Sequence, residues 1–592
     1  MPSLELAVIG NCQIGALLDK NARIVWACMP KFDSDPTFCS LLMDENPERG
    51  FFDIEMVDFE RSEQQYLGNT PIVQTTLFDK HGNGIRINDF APRYELFGRF
   101  YHPAMLIRTL TPINGWPRVK VRLRPTGEYG AQNAAATHGS NHIRYSLPDS
   151  VLRLTTDVSL SAILEENEFQ LTESKHLIIG NDESIPESVG KVSREQYAET
   201  KRYWENWVRG LAIPFEWQDA VIRAAISLKL CTYEDTGAVI AAMTTSIPEA
   251  ANSGRNWDYR FCWLRDSYFV IQSLNSLGVT KTMSQYLRYI VNISYDTEAP
   301  LQPVYSVTGR ADLTERIVDS LPGYRGMGPV RVGNQAYEQI QHDIYGAVVL
   351  AATQFFFDRR VPEPGTADNF HHLEDLGERA AAAYDKPDAG IWEYRGRKRV
   401  HTFSSVMCWA ACDRLAKIAT KLGIADRAEY WRKTADRIHA DISERAWSDE
   451  KQAFTASFGR PELDASMLLL HHLGFVSAED PQFLSTITAI ERELRRGDHL
   501  MRYQAADDFG EPESAFNICT FWYIDALAAT GRDAEARDLF EKMLQCRNSM
   551  GLLSEDLDPK TGELWGNFPQ TYSMFGIINA AQRLSISWEE AF

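Results

Sequence analysis

Three stretches of this sequence concentrate Trp, Tyr, Arg and carboxylates at a density wrong for plain connectors. The first is Arg255–Asp266, RNWDYRFCWLRD. An aromatic ring offers an apolar face to the C–H surface of a sugar, and Arg and Asp side chains bind hydroxyls in a fork geometry. The same residues also suit a bland role, a salt bridge of Arg265 with Asp266 or Asp258 capped by core tryptophans. The second stretch is Gly390–Arg395, GIWEYR, where Glu393 adjoins Trp392. An aromatic wall that excludes water raises a carboxyl pKa, as a general acid requires. A lone Glu beside Trp is nevertheless common on any surface. The third is Gly551–Pro569, GLLSEDLDPKTGELWGNFP, with Glu555, Asp556, Asp558 and Glu563 in one loop beside Trp565 and Phe568. Glycoside hydrolysis needs a second carboxylate, which in inverting enzymes stands about 6.5–9.5 Å from the first to admit a water. A calcium loop would need D-x-[DN]-x-[DN]-G spacing, which is absent.

Two further stretches suit a ring of substrate contacts. Tyr324–Asn334, with Gln339 and Asp343 beyond it, carries Arg325, Arg331 and Asn334 on a loop entering a helix. Arg502–Phe516 carries Arg502, Tyr503, Glu511 and Glu513, and the two glutamates rival Glu555 as a base. No P-loop, dinucleotide fingerprint or H-E-x-x-H occurs, which removes nucleotide and zinc-protease readings. Cys408 and Cys412 lack a matching His pair and read as core, so no metal is expected.

These stretches need elements to hold them. From Leu4 to about Ile179, short apolar or alternating runs broken by turn residues read as antiparallel strands, packed most economically as a β-sandwich. Residues 180–190 are polar and turn-rich, and Ser193–Arg209 reads as a helix. From Trp217 the period becomes helical. Apolar faces fall at 217–233, 264–276, 280–294, 335–355, 371–386, 403–421, 425–444, 464–471, 481–494, 515–530, 532–545 and 572–585. Twelve helices suit six antiparallel pairs closed into an (α/α)6 barrel. The expected division is a β-sandwich over 1–190, a linker helix over 191–212 and a barrel over 213–592. At 592 residues the chain exceeds the roughly 250–300 at which single cores stop growing, so two domains are the natural reading.

Composition narrows the class. A hydrophobic fraction of 44% and a charged fraction of 24% are globular values. With 81 acidic against 61 basic residues, the net charge is −20. That sign repels nucleic acid and anionic lipid, so a neutral substrate fits better. The opening lacks a basic segment followed by an apolar run, and no stretch is long enough to span a membrane. Nine scattered cysteines without a C-x-x-C pair favour reduced thiols and a cytoplasmic location. No cofactor is implied, and a homo-oligomer is compatible with the sequence.

At RNWDYRFCWLRD the chain resembles glycoside hydrolase family 15, which includes glucoamylases, bacterial exo-α-glucosidases and one lineage of trehalases. The resemblance extends to GIWEYR, VRVGNQAYEQIQHDIYG, RYQAADDFGEPESAFNICTFWYIDAL and GLLSEDLDPKTGELWGNFPQTYS, and the opening IGNCQIGALLDKNARIVWACMPKFDSDPTF resembles the N-terminal β-sandwich of trehalase-like members. It implies an (α/α)6 barrel with a loop-lined pocket, Glu393 as general acid and Glu555 as general base. It also implies sugar contacts at Tyr259, Trp263, Arg265, Asp266, Trp392, Arg331 and Arg502, with Arg265 and Asp266 on the terminal glucose. Two positions depart from the family pattern: Ala347 in DIYGA and Ser514 in PESAF. The expected activity is an inverting, exo-acting α-glucosidase of glucoamylase type that releases β-glucose from small α-glucosides. The alternative is an α,α-trehalase. A non-catalytic sugar-binding protein would be expected to have lost a carboxylate, and both are present.

Overall fold

The structure, a computed structural model, describes residues 3–294, 301–361 and 364–592; Met1 and Pro2 of the expected N-terminal domain lie outside the described residues. Residues 7–181 form two large antiparallel sheets, with two small two-stranded ones at 94–101 and 126–133. One runs Ala7–Gly10, Gly15–Leu18, Ile24–Cys28, Phe51–Met56, Arg118–Arg124 and Phe169–Gln170, with Pro36–Phe38 beside the third strand. The other runs Ala135–His138, His142–Ser146, Val151–Thr156, Lys175–Asn181, Met105–Asn114, Gly84–Phe90, Val73–Asp79 and Phe59–Tyr66. Val73–Asp79 alternates buried and half-buried positions, as a strand with one wet face does. The strands Ala7–Gly10, Gly15–Leu18 and Ile24–Cys28 are buried at every residue. Both their faces are therefore covered, one by the second sheet and the other by the helical part of the chain. Trp26 Nε1 donates to the Met243 carbonyl at 2.8 Å across that second contact.

Helix α1 (Leu160–Leu164) lies within the sheet region, and α2 (Val189–Arg209) leads out of it, N-capped by Ser188. Then follow α3 (Gln218–Leu230), α4 (Leu264–Ser276), α5 (Thr280–Ser294), α6 (Asp343–Phe357), α7 (Ala367–Ala383), α8 (Thr402–Leu422) and α9 (Ala425–Arg445). The series ends with α10 (Leu470–Leu473), which continues a 3-10 turn over Ala465–Leu469, then α11 (Pro481–Leu494), α12 (Asn517–Ala529), α13 (Asp533–Gln545) and α14 (Thr571–Leu584). Two kinds of helix alternate. Nearly every residue of α4, α8 and α12 is buried, whereas α9 buries only Trp431, Ala435, Ile438 and Ile442. That spacing is a single stripe, the mark of a helix with one face on the core. The buried helices form a closed sequence of neighbours: α4 packs on α6, α6 on α8, α8 on α10 and its turn, the turn on α12, α12 on α14, and α14 back on α4.

Three helices begin elsewhere than the periodicity places them. The helix expected over 335–355 starts at Asp343, after a 3-10 turn at Gln335–Glu338. The intervening residues are diverted into polar contacts with the segment ahead of α8. The helix expected over 371–386 starts at Ala367, where Thr366 and Asn369 form a capping box. The stretch 464–471 is mostly 3-10 turn.

Candidate active site

The loops entering α4, α6, α8, α12 and α14 converge on one cavity, open at its mouth. Tyr259, Trp263, Arg265, Asp266, Trp392, Glu393, Arg502 and Glu555 all line it. These are eight of the nine residues expected there. Arg331 does not line it. Its guanidinium donates to the carbonyls of Gly254 and Asn256 at 3.1 and 2.8 Å and stacks over Trp257, so it shapes the loop that carries the first motif.

Glu393 sits at φ +57°, a left-handed conformation that costs a non-glycine residue about 1–2 kcal/mol. Neighbouring bonds hold it there. Gln339 Nε2 donates to the Glu393 carbonyl at 3.0 Å, and the Ala389 N–H donates to the Ile340 carbonyl at 2.9 Å. The His342 N–H donates to Asp388 Oδ2 at 2.9 Å. Three donors reach Glu393 Oε1: Trp263 Nε1 at 2.7 Å, Arg265 Nη2 at 3.2 Å and Gln341 Nε2 at 3.2 Å. The aromatic partner of the carboxyl is therefore Trp263 and not its sequence neighbour Trp392. The left-handed turn sends the Trp392 indole the other way, to Asp464 Oδ2 at 3.1 Å among Tyr503, Phe516 and Trp522.

Glu555 is held by main-chain bonds on both sides: its N–H donates to the Asn567 carbonyl at 3.1 Å and its carbonyl accepts from the Asn517 N–H at 3.0 Å. Its Oε1 accepts from the Tyr259 hydroxyl at 2.7 Å. Burial pushes its carboxyl well above the usual range; the neighbouring carboxyls of Asp556 and Glu249 add to the rise, and the Tyr259 hydrogen bond and Arg502 oppose it. Tyr259 packs edge-on against Trp263, ring centroids 5.3 Å apart, so a continuous wall runs from Glu555 through Tyr259 and Trp263 to Glu393. The two carboxyls differ in access. The Glu393 side chain is 24% exposed and Glu555 only 1%.

Arg265 is the hub of the polar contacts around Glu393. Its Nη1 donates to Gln341 Oε1 at 2.8 Å and to Asp343 Oδ2 at 3.1 Å, and its Nε lies 3.6 Å from Asp266 Oδ1. Asp258, the other partner considered from sequence, belongs instead to Arg260, at 2.9 and 2.7 Å. Burial pushes Asp266 up to about 7, with Arg265 opposing and Glu393 and Asp343 adding to the rise. Its Oδ1 is buried without a hydrogen-bond partner.

Of the other loop carboxylates weighed from sequence, Asp556, Asp558, Glu563, Glu511 and Glu513 do not line the cavity, whereas Asp507 and Asp508, which were not singled out, do. Asp558 caps the Lys560 N–H, Glu563 pairs with Arg325, and Glu511 and Glu513 line a separate surface depression. Glu249 was not foreseen: it lines the cavity and takes the Trp257 indole N–H at 2.8 Å and an Arg502 Nη2. It stands six residues ahead of the first aromatic-rich stretch, where composition is ordinary. Gln341 was likewise hidden within an apparent helix.

A partly open carboxyl and an enclosed one, on the walls of one aromatic- and arginine-lined cavity, are the equipment of a glycoside hydrolase. Residues 217–582 match the family described as Glycosyl hydrolases family 15, and residues 2–156 match Trehalase-like, N-terminal. The chain belongs to glycosyl hydrolases family 15. It is 33% identical to a trehalase of Thermoplasma volcanium over 97% of this chain and 92% of that protein. It is 30% identical to a trehalase of Mycolicibacterium smegmatis over 100% of this chain and 92% of the relative. A bacterial glucoamylase solved in complex with acarbose shares the fold, with a TM-score of 0.69 over 98% of this chain and 93% of that one, at 13% identity.

Proposed function

We propose that this chain is an inverting α,α-trehalase, in which Glu393 is the general acid and Glu555 the general base. The observation that carries the substrate is the similarity to trehalases along both the sheet and helical regions at 30–33% identity. The glucoamylase reading expected from the motifs gives way, because the likeness to a glucoamylase at 13% identity speaks for the fold alone. We read the closed sequence of buried helices as an (α/α)6 barrel spanning 213–592, with 1–190 as β-sandwich and 191–212 as linker.

In this reading Glu393 protonates the glycosidic oxygen as the C1–O bond breaks, and Glu555 takes a proton from the water that attacks the opposite ring face. Arg265 holds Glu393 from behind, and the Asp266 carboxylate on the cavity wall accepts from a hydroxyl of the glucose that is attacked. Trehalose joins two α-anomeric carbons. Inversion at one therefore yields equal α- and β-glucose at the start, and a covalent, retaining route yields only α. Proton NMR during early hydrolysis distinguishes them. Incubation with trehalose, maltose, isomaltose and panose tests the substrate: glucose is expected from trehalose, and cleavage of maltose with trehalose untouched overturns the reading. Nine unpaired cysteines, eight of them buried, support a reducing, cytoplasmic setting.

A further inference from the structure

Glu555 and Asp556 are consecutive, and each has one carboxylate oxygen satisfied and one orphaned. Tyr259 donates to Glu555 Oε1 at 2.7 Å, and the Ser514 hydroxyl donates to Asp556 Oδ1 at 3.0 Å. Glu555 Oε2 and Asp556 Oδ2 are both buried with no donor. The two orphans flank the same glycine. A β-carbon on Gly566 would lie 2.9 Å from Glu555 Oε2, 3.2 Å from Asp556 Oδ2 and 2.7 Å from Glu555 Cβ. Gly566 also stands at φ +75°, so both its backbone and its missing side chain fit the carboxyls closing on it.

The nearby cations are engaged elsewhere. Arg502 donates to Glu249, and Arg255 donates to Asp507 at 2.7 and 2.5 Å and to the Gly510 carbonyl at 2.9 Å. The charges facing the pair are thus Glu249, Arg502 and Arg255, with the Tyr259 hydroxyl on the cavity side. Two buried carboxylate oxygens that face the same glycine without a donor repel each other, and one proton on the pair removes the repulsion.

We infer that Asp556 is a positioning residue for Glu555, carrying a proton that it donates to Glu555 Oε2 so that Glu555 stays anionic and aimed at the water. This rests on the reading of Glu555 as base. Before reaction the pair holds one proton and one negative charge. As the water O–H bond breaks and the water oxygen bonds to C1, Glu555 takes that proton and the pair becomes neutral, while Glu393 has given its own proton to the leaving oxygen. The pair then releases one proton to solvent and Glu393 takes one up, which restores the start. Burial pushes both carboxyls up, with Glu249 adding to each rise and Arg502 opposing it, so the pair as a whole holds on to one proton.

The test compares Asp556→Asn with Asp556→Ala. An Asn at this position accepts from Ser514 through its carbonyl and donates to Glu555 through its amide, as the protonated acid does. It should keep kcat on trehalose within roughly threefold, whereas Ala should lower it roughly tenfold or more. The substrate-free wild-type protein at neutral pH should show a carboxylic-acid C=O infrared band that is missing from Asp556→Asn. The inference is overturned if Asn and Ala lose kcat alike, or if the two infrared spectra match in that region. A wild-type protein that shows the band but does not hydrolyse trehalose overturns the proposed substrate instead.

Discussion

Substituting the two carboxyls separates their roles from their packing. Glu393→Gln and Glu555→Gln should each lower kcat about 10²–10⁴-fold with the melting temperature little changed, since each removes one proton-transfer group. Turnover and thermal unfolding on one preparation check this. Tyr259→Phe is more informative. Its hydroxyl bond to Glu555 Oε1 holds that carboxyl down against burial. Removing the bond raises the base pKa, so the acid limb of the kcat/KM profile should move to higher pH; a purely structural tyrosine would lower stability and leave the limb in place. At this scale the sequence was legible where one motif supplies both neighbours. Trp263, Arg265 and Asp266 share a stretch and share the site. Trp392 was misleading, because adjacency in the chain says nothing of direction when the next residue adopts a left-handed turn.

Between residue and domain stands Asp388, which ties the segment before α6 to the segment before α8. It accepts the His342 N–H at 2.9 Å and pairs through its backbone with Arg399. Burial pushes it up to about 7 from the ordinary 3.8. A carboxyl whose folded pKa exceeds its unfolded one stabilises the fold at low pH, and that contribution is lost as pH rises from 3.8 through 7. Asp388→Asn removes the titration while keeping an acceptor. Its stability relative to the wild type should therefore improve from pH 4 to pH 8, by up to about 4 kcal/mol at about 1.36 kcal/mol per unit, as read by denaturant unfolding across pH. Most helices were legible from period alone, because the outer ones carry a clean stripe and the inner ones are long apolar runs. The start of α6 was not. Gln339, Gln341 and His342 continue a helical pattern, but hydrogen bonds to Glu393 and Asp388 outweigh the local preference.

Across the whole molecule, the first motif serves two masters. Tyr259 points into the cavity, and Arg260 points away, fully buried against the sheet region. The Arg260 guanidinium pairs with Asp258, donates to the Ser34 carbonyl at 2.7 Å and lies over Trp26 and Tyr129. Arg260→Ala strands Asp258 as an uncompensated buried charge and should cost about 3–5 kcal/mol. Activity should fall with it, because the segment bearing Tyr259 loses its anchor; denaturant titration alongside turnover measures both. The two-part organisation was legible from the change of period near Trp217. That the sheet region braces the catalytic wall was not, since an arginine in an arginine-rich motif gives no sign of which neighbour it faces.

The closure of the helical ring by α14 also sets a timetable. This helix joins α12 back to α4, and the loop just before it carries Glu555. During synthesis the sheets, α4 and the Glu393 loop all leave the ribosome before the base and the closing helix exist. Domains generally fold as units, N-terminal first. A chain halted between α12 and Glu555 therefore holds Glu393 and Arg265 on an open arc, with the faces of α4 and α12 that α14 covers left wet. A chain that lacks α14 should accordingly be inactive and aggregate through its uncovered apolar faces.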